Sequence, residues 1–115
     1  MSEILFVEDS PEVYHQVSQA LASLSDITWV KTLKEAQNAY SKTKFDIVLL
    51  DINLPDGSGI EFCTHIMSEN PEQSVFIITG QEKLSDKVLG FTAGADDYIV
   101  KPFNSLELKV RVENK

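Results

Sequence analysis

Residues 45 to 59 read FDIVLLDINLPDGSG and carry the strongest indication of the fold. This stretch opens with a strand pattern from Phe45 to Leu50, whose unbroken apolar part, from Ile47 onward, is typical of a strand buried on both faces of a sheet. Asp51 follows at the carboxyl end of that strand, and the proline and glycines after it indicate a turn. The stretch therefore predicts a strand near the middle of a sheet that ends on an acidic side chain.

Further strands and helices alternate along the chain on either side of this strand. Other apolar runs rich in β-branched residues predict strands at Ile4 to Val7, Ile27 to Val30, Val75 to Thr79 and Tyr98 to Val100. Because strands separated by helices are joined by right-handed crossovers, the alternation predicts a parallel sheet with helices on both faces. The predicted fold class is α/β, with a doubly wound five-stranded parallel sheet.

The segments between the strands have helical spacing. Their inward stripes are predicted to be Val13, Val17, Leu21 and Leu24; Leu33, Ala36 and Tyr40; Ile60, Cys63, Ile66 and Met67; and Leu84, Val88 and Phe91. Residues suited to cap the helices are Ser10, Thr32 with Glu35, Ser58 with Glu61, and Asn104 or Ser105. The fourth helix should span about Glu82 to Ala93, with Gly94 in a left-handed conformation past its end.

Composition narrows the range of functions. The chain has 115 residues, enough for one domain, and its 18 acidic and 10 basic residues give a formal net charge of −8. This charge argues against direct nucleic-acid binding, and no stretch has the pattern of a leader or a membrane span. The single cysteine, Cys63, fits a small buried hydrophobe, so we expect a cytoplasmic protein.

Five polar residues are predicted to meet beyond the carboxyl ends of the strands, where open α/β sheets bind ligands. They are Glu8, Asp9, Asp51, Thr79 and Lys101. Clustered carboxylates repel one another unless a cation is present, and oxygen ligands with open coordination positions suit Mg²⁺. A metal, an ammonium group and a hydroxyl would together stabilise a phosphoryl group on a carboxylate. Each acidic residue, or Thr79, taken alone is more simply explained as a helix cap, but capping requires neither a lysine after the fifth strand nor an aspartate directly after an apolar strand.

The chain closely resembles the receiver domain of bacterial response regulators over essentially its whole length. The resemblance lies in Glu8-Asp9, in Asp51-Ile52-Asn53-Leu54-Pro55 through Gly59, in Thr79-Gly80 and in residues 94 to 103, GADDYIVKPF. It implies the flavodoxin-like strand order 2-1-3-4-5. It also implies a signalling domain of two-component systems that catalyses its own modification, rather than a turnover enzyme.

The resemblance further implies a role for each pocket residue. Asp51 would accept a phosphoryl group from a sensor histidine kinase or a phosphotransfer protein, and Thr79 and Lys101 would contact the phosphoryl oxygens. A cis bond between Lys101 and Pro102 would aim the ammonium into the pocket. The Mg²⁺ ligands would be Asp9, Asp51 and the backbone carbonyl of Asn53, with Glu8 acting largely through water.

The same resemblance implies a switch and an output. Thr79 would move towards the phosphoryl group and the Tyr98 ring would turn inward, which biases a pre-existing two-state equilibrium. The signal would emerge on the face formed by the fourth helix, fifth strand and fifth helix, through which relatives that regulate transcription form homodimers. Charged residues that could pair across this face are Lys87, Asp97, Glu107 and Arg111. Asn53 and Gln81 would flank the route of attacking water.

Three alternatives compete with this interpretation. Haloacid dehalogenase phosphatases use similar residues, but their nucleophile follows the first strand, whereas Asp51 follows the third. A flavodoxin-like cofactor site needs a glycine-rich or hydroxyl-rich loop where this chain has Glu8 to Glu12. The closest alternative is a receiver-like module that binds a partner without being phosphorylated. Because the chain stops soon after the fifth helix begins, we expect residues 1–115 to be a domain truncated in that helix, with any C-terminal output domain absent.

Overall fold

The computed structural model describes residues 2–80 and 84–115. In chain order the elements are β1 (Ser2–Val7), α1 (Pro11–Leu21), β2 (Ser25–Val30), α2 (Leu33–Lys42), β3 (Ile47–Leu50), β4 (Asn53–Leu54), β5 (Gly57–Ser58), α3 (Gly59–Glu69), β6 (Ser74–Thr79), α4 (Leu84–Thr92), β7 (Asp97–Val100) and α5 (Ser105–Glu113). The strands and helices alternate as the sequence predicts, apart from the small hairpin of β4 and β5.

Five of the strands form one parallel sheet in the order β2-β1-β3-β6-β7. The strands β4 and β5 pair only with each other, in antiparallel register. Counted along the chain without that hairpin, the sheet has the order 2-1-3-4-5, which confirms the prediction. The order reverses between β1 and β3, so the loops after these two strands lie side by side at the edge where such sheets bind ligands.

Two layers of apolar side chains hold the helices to the sheet. Alternate residues of β3 point to opposite faces, with Val48 and Leu50 in one layer and Ile47 and Leu49 in the other. All four are at most 3% exposed, which confirms that β3 is buried on both faces. The first layer includes residues of α2 and α3, and the second includes residues of α1 and α5.

Several predicted boundaries and part of one predicted stripe are wrong; β1 and β2, for example, each begin two residues before the predicted start. Helix α1 ends at Leu21 rather than reaching Leu24, because the chain turns there and the Leu24 N–H bonds the Leu21 carbonyl. Leu24 still packs against the core from the turn. Strand β3 begins at Ile47 rather than Phe45, since its pairing with β1 starts there.

Helix α4 does not present its predicted stripe to the sheet. Val88 is 54% exposed and Phe91 is 49% exposed, whereas Gly90 is buried. A Cβ atom at Gly90 would lie 2.8 Å from Ile77 Cδ1, so the helix rests on the sheet through its smallest residue. The predicted start of this helix and the side chain of Leu84 lie outside the described part of the chain. Gly94 has φ +107° past the helix end, as predicted.

The predicted caps are present, but the capping boxes are incomplete. Ser10 accepts a hydrogen bond from the Val13 N–H, and Asn104 accepts from the N–H groups of Leu106 and Glu107.

The Thr32 hydroxyl accepts from the Glu35 N–H, but the Glu35 carboxylate accepts from the Lys31 N–H rather than from that of Thr32. The Ser58 hydroxyl caps α3 by accepting a hydrogen bond from the Ile60 N–H rather than from the Glu61 N–H.

Asp56 adds a cap from a distant part of the chain. Its carboxylate, in the turn between β4 and β5, accepts hydrogen bonds from the N–H groups of Leu33 at 2.8 Å and Lys34 at 3.0 Å. These are the first two residues of α2, where the helix dipole also favours a negative charge. The Leu33 bond in particular lowers the pKa of the Asp56 carboxyl. The loop that follows Asp51 is therefore tied to α2.

We expect Asp56→Ala to lower the melting temperature by a few degrees at pH 7, since loss of a helix cap destabilises a small domain on this scale. The folded-state pKa of Asp56 is lowered, so its contribution is complete above about pH 4 and is lost as the pH falls through the folded-state value. The melting-temperature difference between wild type and variant should therefore shrink from pH 5 to pH 3. Glu72→Ala, in an exposed turn, is the control; a gap that persists at pH 3 would contradict the capping role.

Candidate functional site

The site is built where β1 and β3 end side by side. The Asp51 N–H donates to the Val7 carbonyl at 3.1 Å, and the Glu8 N–H donates to the Val30 carbonyl at 3.0 Å. Both acidic residues thus continue the sheet by one residue beyond their strands. Their backbones are held by neighbouring strands rather than by a free loop, so the side chains start from rigid positions.

Three carboxylates converge at this edge. One oxygen from each of Glu8, Asp9 and Asp51 lies within 4.8 Å of the others. Glu8 is 1% exposed and Asp51 is 5% exposed, whereas Asp9 faces solvent. The geometry brings together the acidic residues that the sequence predicts, two of them buried and one open to solvent.

Lys101 supplies the positive charge. Its Nζ atom lies 2.6 Å from Glu8 Oε1 and 3.1 Å from Asp51 Oδ2. The Lys101–Pro102 peptide bond is cis, as predicted. The Lys101 N–H donates to the Thr79 carbonyl at 2.8 Å, so the chain after β7 stays attached to the end of β6.

Burial and charge act together on these groups. Burial raises the pKa of the Glu8 carboxyl, and the charge of Asp51 adds to that effect against an opposing hydrogen bond from Lys101. Burial also works to lower the pKa of Lys101, but the hydrogen bond to Glu8 and the charges of Asp51 and Glu8 outweigh it, so this pKa is raised. Two of the three carboxylates pair with the single ammonium, and the negative charge that remains in excess on these oxygen donors fits a hard divalent cation.

The other predicted residues surround this centre. Thr79 is the last residue of β6 and is 1% exposed, while Asn53 begins β4 and faces solvent. Tyr98 is 7% exposed, with its ring 6.3 Å from that of Phe91 and 6.0 Å from the Lys87 ammonium. Gln81 lies outside the residues that the structure describes.

Trp29, beside the pocket, and Arg111, on α5, make contacts that were not predicted. Trp29 lies on the edge strand β2, and its indole N–H donates to the Glu8 backbone carbonyl at 2.6 Å. Arg111 pairs with Asp97 and, at 3.4 Å, with Glu107 of the same chain. The Trp29 and Asp97 contacts join residues far apart in sequence, so no local spacing signals them.

Comparison with known proteins agrees with this geometry. A family model described as the response regulator receiver domain matches residues 4–113. The chain belongs to this family. The receiver domain is 39% identical over 113 residues to the regulatory protein VanR of Enterococcus faecium, covering 96% of this chain and 48% of VanR. It is 36% identical over 110 residues to the probable transcriptional regulatory protein TcrX of Mycobacterium tuberculosis, covering 95% of this chain and 47% of TcrX.

Solved structures show the same fold. The BeF3-activated DrrB receiver domain superposes with a TM-score of 0.92 at 36% identity, covering 99% of this chain and 96% of that one. DrrB itself, a Thermotoga maritima OmpR/PhoB homologue, gives a TM-score of 0.91 at 36% identity, with 99% of this receiver domain matching 52% of DrrB. The receiver domain thus spans about half the length of VanR, TcrX and DrrB. Within the described residues, no helix is long and apolar enough to cross a membrane.

Proposed function

We propose that this receiver domain, residues 1–115, accepts a phosphoryl group on Asp51 from a phosphohistidine of a sensor histidine kinase or phosphotransfer protein. The observation that carries the proposal is the buried Asp51 carboxylate, with Lys101 Nζ 3.1 Å from its Oδ2 and two further carboxylates beside it. A carboxylate that only caps a helix or lies on the surface does not require burial beside a lysine and two further carboxylates. This arrangement also favours phosphorylation over the alternative of a module that only binds a partner.

The donor set fits Mg²⁺. Asp9 and Asp51 would hold the ion with the backbone carbonyl of Asn53, and Glu8 would act largely through water. A bound Mg²⁺ would neutralise negative charge on the phosphoryl oxygens. The fit rests on carboxylate oxygens from three residues lying within 4.8 Å of one another, one of them on the solvent side.

The chain's own groups account for the remaining chemistry. The Ile52 N–H donates to Asp51 Oδ1 at 2.7 Å and Lys101 Nζ donates to Oδ2 at 3.1 Å, so the attacking carboxylate is oriented through both of its oxygens. Attack forms the oxygen–phosphorus bond as the phosphorus–nitrogen bond of the phosphohistidine breaks. Lys101 and the Thr79 hydroxyl then stabilise the phosphoryl oxygens. The modified group is a side chain of the domain itself, and Asp51 regains its free carboxylate only when the phosphoryl group is hydrolysed. We therefore propose that the domain acts as a signalling switch and not as a turnover enzyme.

Modification is proposed to act on the face formed by α4, β7 and α5. The Tyr98 ring is already buried in this structure, and contact between Thr79 and the phosphoryl group would favour this conformation over others. The exposed apolar residues of this face are Val88, Leu89, Phe91, Leu106 and Val110. They support homodimer formation, whereas Asp97, Glu107 and Arg111 already pair within one chain and would have to exchange partners.

The whole protein is proposed to be a cytoplasmic regulator of transcription. VanR and TcrX are regulatory proteins by name, and the receiver domain covers only about half of each. The receiver domain itself has a net charge of −8, which opposes binding to the negatively charged backbone of DNA. We therefore propose that DNA binding belongs to an output domain outside these residues.

Acetyl phosphate with Mg²⁺ should add the mass of one phosphoryl group to the chain, as measured by intact mass spectrometry. The gain should disappear with EDTA and in Asp51→Asn, whose amide is a poor nucleophile. Trp29, the single tryptophan, should report metal binding by fluorescence because it bonds the carbonyl of Glu8.

Asp46→Asn is the matched control, since Asp46 is exposed and bonds the Glu3 N–H away from the pocket. It should be modified like wild type. A chain that binds Mg²⁺ but gains no mass from acetyl phosphate or from a histidine kinase would favour the binding-only alternative. Equal modification of Asp51→Asn would place the acceptor elsewhere.

A further inference from the structure

Trp29 contacts the acidic pocket in a way that the chemistry proposed above does not use. Its indole N–H donates to the Glu8 backbone carbonyl at 2.6 Å. The Glu8 N–H, in turn, donates to the Val30 carbonyl at 3.0 Å. The peptide groups on both sides of the Glu8 Cα atom are therefore tied to β2 and its side chains.

The peptide group between Glu8 and Asp9 controls where the Asp9 side chain points. That group is planar, so a hydrogen bond to its carbonyl restricts rotation on both sides of it. The Glu8 side chain has its own anchors, Lys101 and the Ser10 N–H at 3.0 Å. Asp9 is exposed, and its direction depends on the backbone that precedes it.

The indole ring is itself held in place. It stacks on Tyr14 of α1, with ring centres 4.2 Å apart and planes 6° from parallel. The Lys31 ammonium lies 4.9 Å from the centre of the same ring. A ring stacked on a helix, with a cation near its centre, has little freedom to turn, so its N–H is already aimed at the carbonyl.

We propose that Trp29 is a positioning residue for the metal ligands. Its indole N–H orients the Glu8–Asp9 peptide so that the carboxylates of Glu8, Asp9 and Asp51 converge on one divalent cation. This inference rests on the proposed Mg²⁺ site and extends it to a residue on the outermost strand. Without the N–H, the peptide gains rotational freedom, and cation binding has to restrict that freedom.

The test compares wild type with Trp29→Phe and with a chain carrying 3-benzothienylalanine at position 29, in which sulfur replaces the indole N–H. Mg²⁺ affinity is measured from the NMR shifts of the Asp9 and Ser10 amides. Both changes should raise the Mg²⁺ Kd by about three- to tenfold, the scale of one net hydrogen bond. The rate of phosphorylation by acetyl phosphate should return to the wild-type value at saturating Mg²⁺.

The sulfur analogue keeps the ring and its stack on Tyr14, so it remains informative if Trp29→Phe folds poorly. An unchanged Kd in the analogue overturns the proposal, as does a change confined to Trp29→Phe, which would point to ring packing. A lower rate at saturating Mg²⁺ together with a shifted urea midpoint would indicate a general structural role and also overturn it. Absence of saturable shifts in wild type would instead refute the proposed metal site.

Discussion

Gly59→Ala should destabilise the receiver domain by about 3 kcal/mol or more, as measured by urea unfolding. A Cβ atom at Gly59 would lie 1.9 Å from the backbone carbonyl oxygen of Asp51. That carbonyl cannot move away freely, because the Asp51 N–H bonds the Val7 carbonyl and the Gly59 N–H bonds the Ile52 carbonyl at 2.7 Å. Relief of the clash would have to displace the start of α3 or the backbone that carries the proposed acceptor.

Gly80→Ala is the matched control for this change. Gly80 is also next to the pocket, but no described atom lies within 4 Å of the position its Cβ would take. The control should stay within about 1 kcal/mol of wild type. If Gly59→Ala were as stable as Gly80→Ala, the close approach between α3 and Asp51 would not be a constraint in solution.

Lys101→Met should have two large effects. Without divalent cations, the free energy of unfolding should fall by about 3 kcal/mol, because two buried carboxylates lose their nearest cation. The initial rate of phosphorylation by acetyl phosphate should fall by about 100-fold, since a charge-stabilising group is removed from the phosphoryl oxygens. Urea unfolding in EDTA and intact mass against time measure the two effects separately.

Lys44→Met controls for the loss of a positive charge, because Lys44 is exposed and precedes β3, at the opposite end of that strand from Asp51. It should leave both the stability and the rate near their wild-type values. Mg²⁺ should also raise the urea midpoint of Lys101→Met more than that of wild type, because a bound cation would take over part of the missing charge. Equal stability of Lys101→Met and wild type in EDTA would mean that the ion pairs at 2.6 and 3.1 Å contribute little.

The elements of the fold were predictable because their signals are local. The apolar run before Asp51, the β-branched runs of the other strands and the caps at Ser10 and Asn104 depend on neighbours in the chain. The strand order came from the resemblance to receiver domains, and the sheet confirms it. The exposure of Val88 and Phe91 was predicted wrongly, because helical spacing shows which residues share a stripe but not how the helix is turned against the sheet.

The amino-acid order shows which chemical groups are available: acidic residues after the first and third strands, a threonine at the end of the fourth and a lysine after the fifth. How these groups are held depends on contacts between distant parts of the folded chain. The Trp29 bond to the Glu8 carbonyl spans 21 residues, and the Asp56 cap on α2 spans 22 and 23. Such contacts depend on the register and packing of whole elements, which no local pattern encodes. The close approach of Gly59 to Asp51 has the same origin, since it arises only when the loop after β3 folds back to start α3.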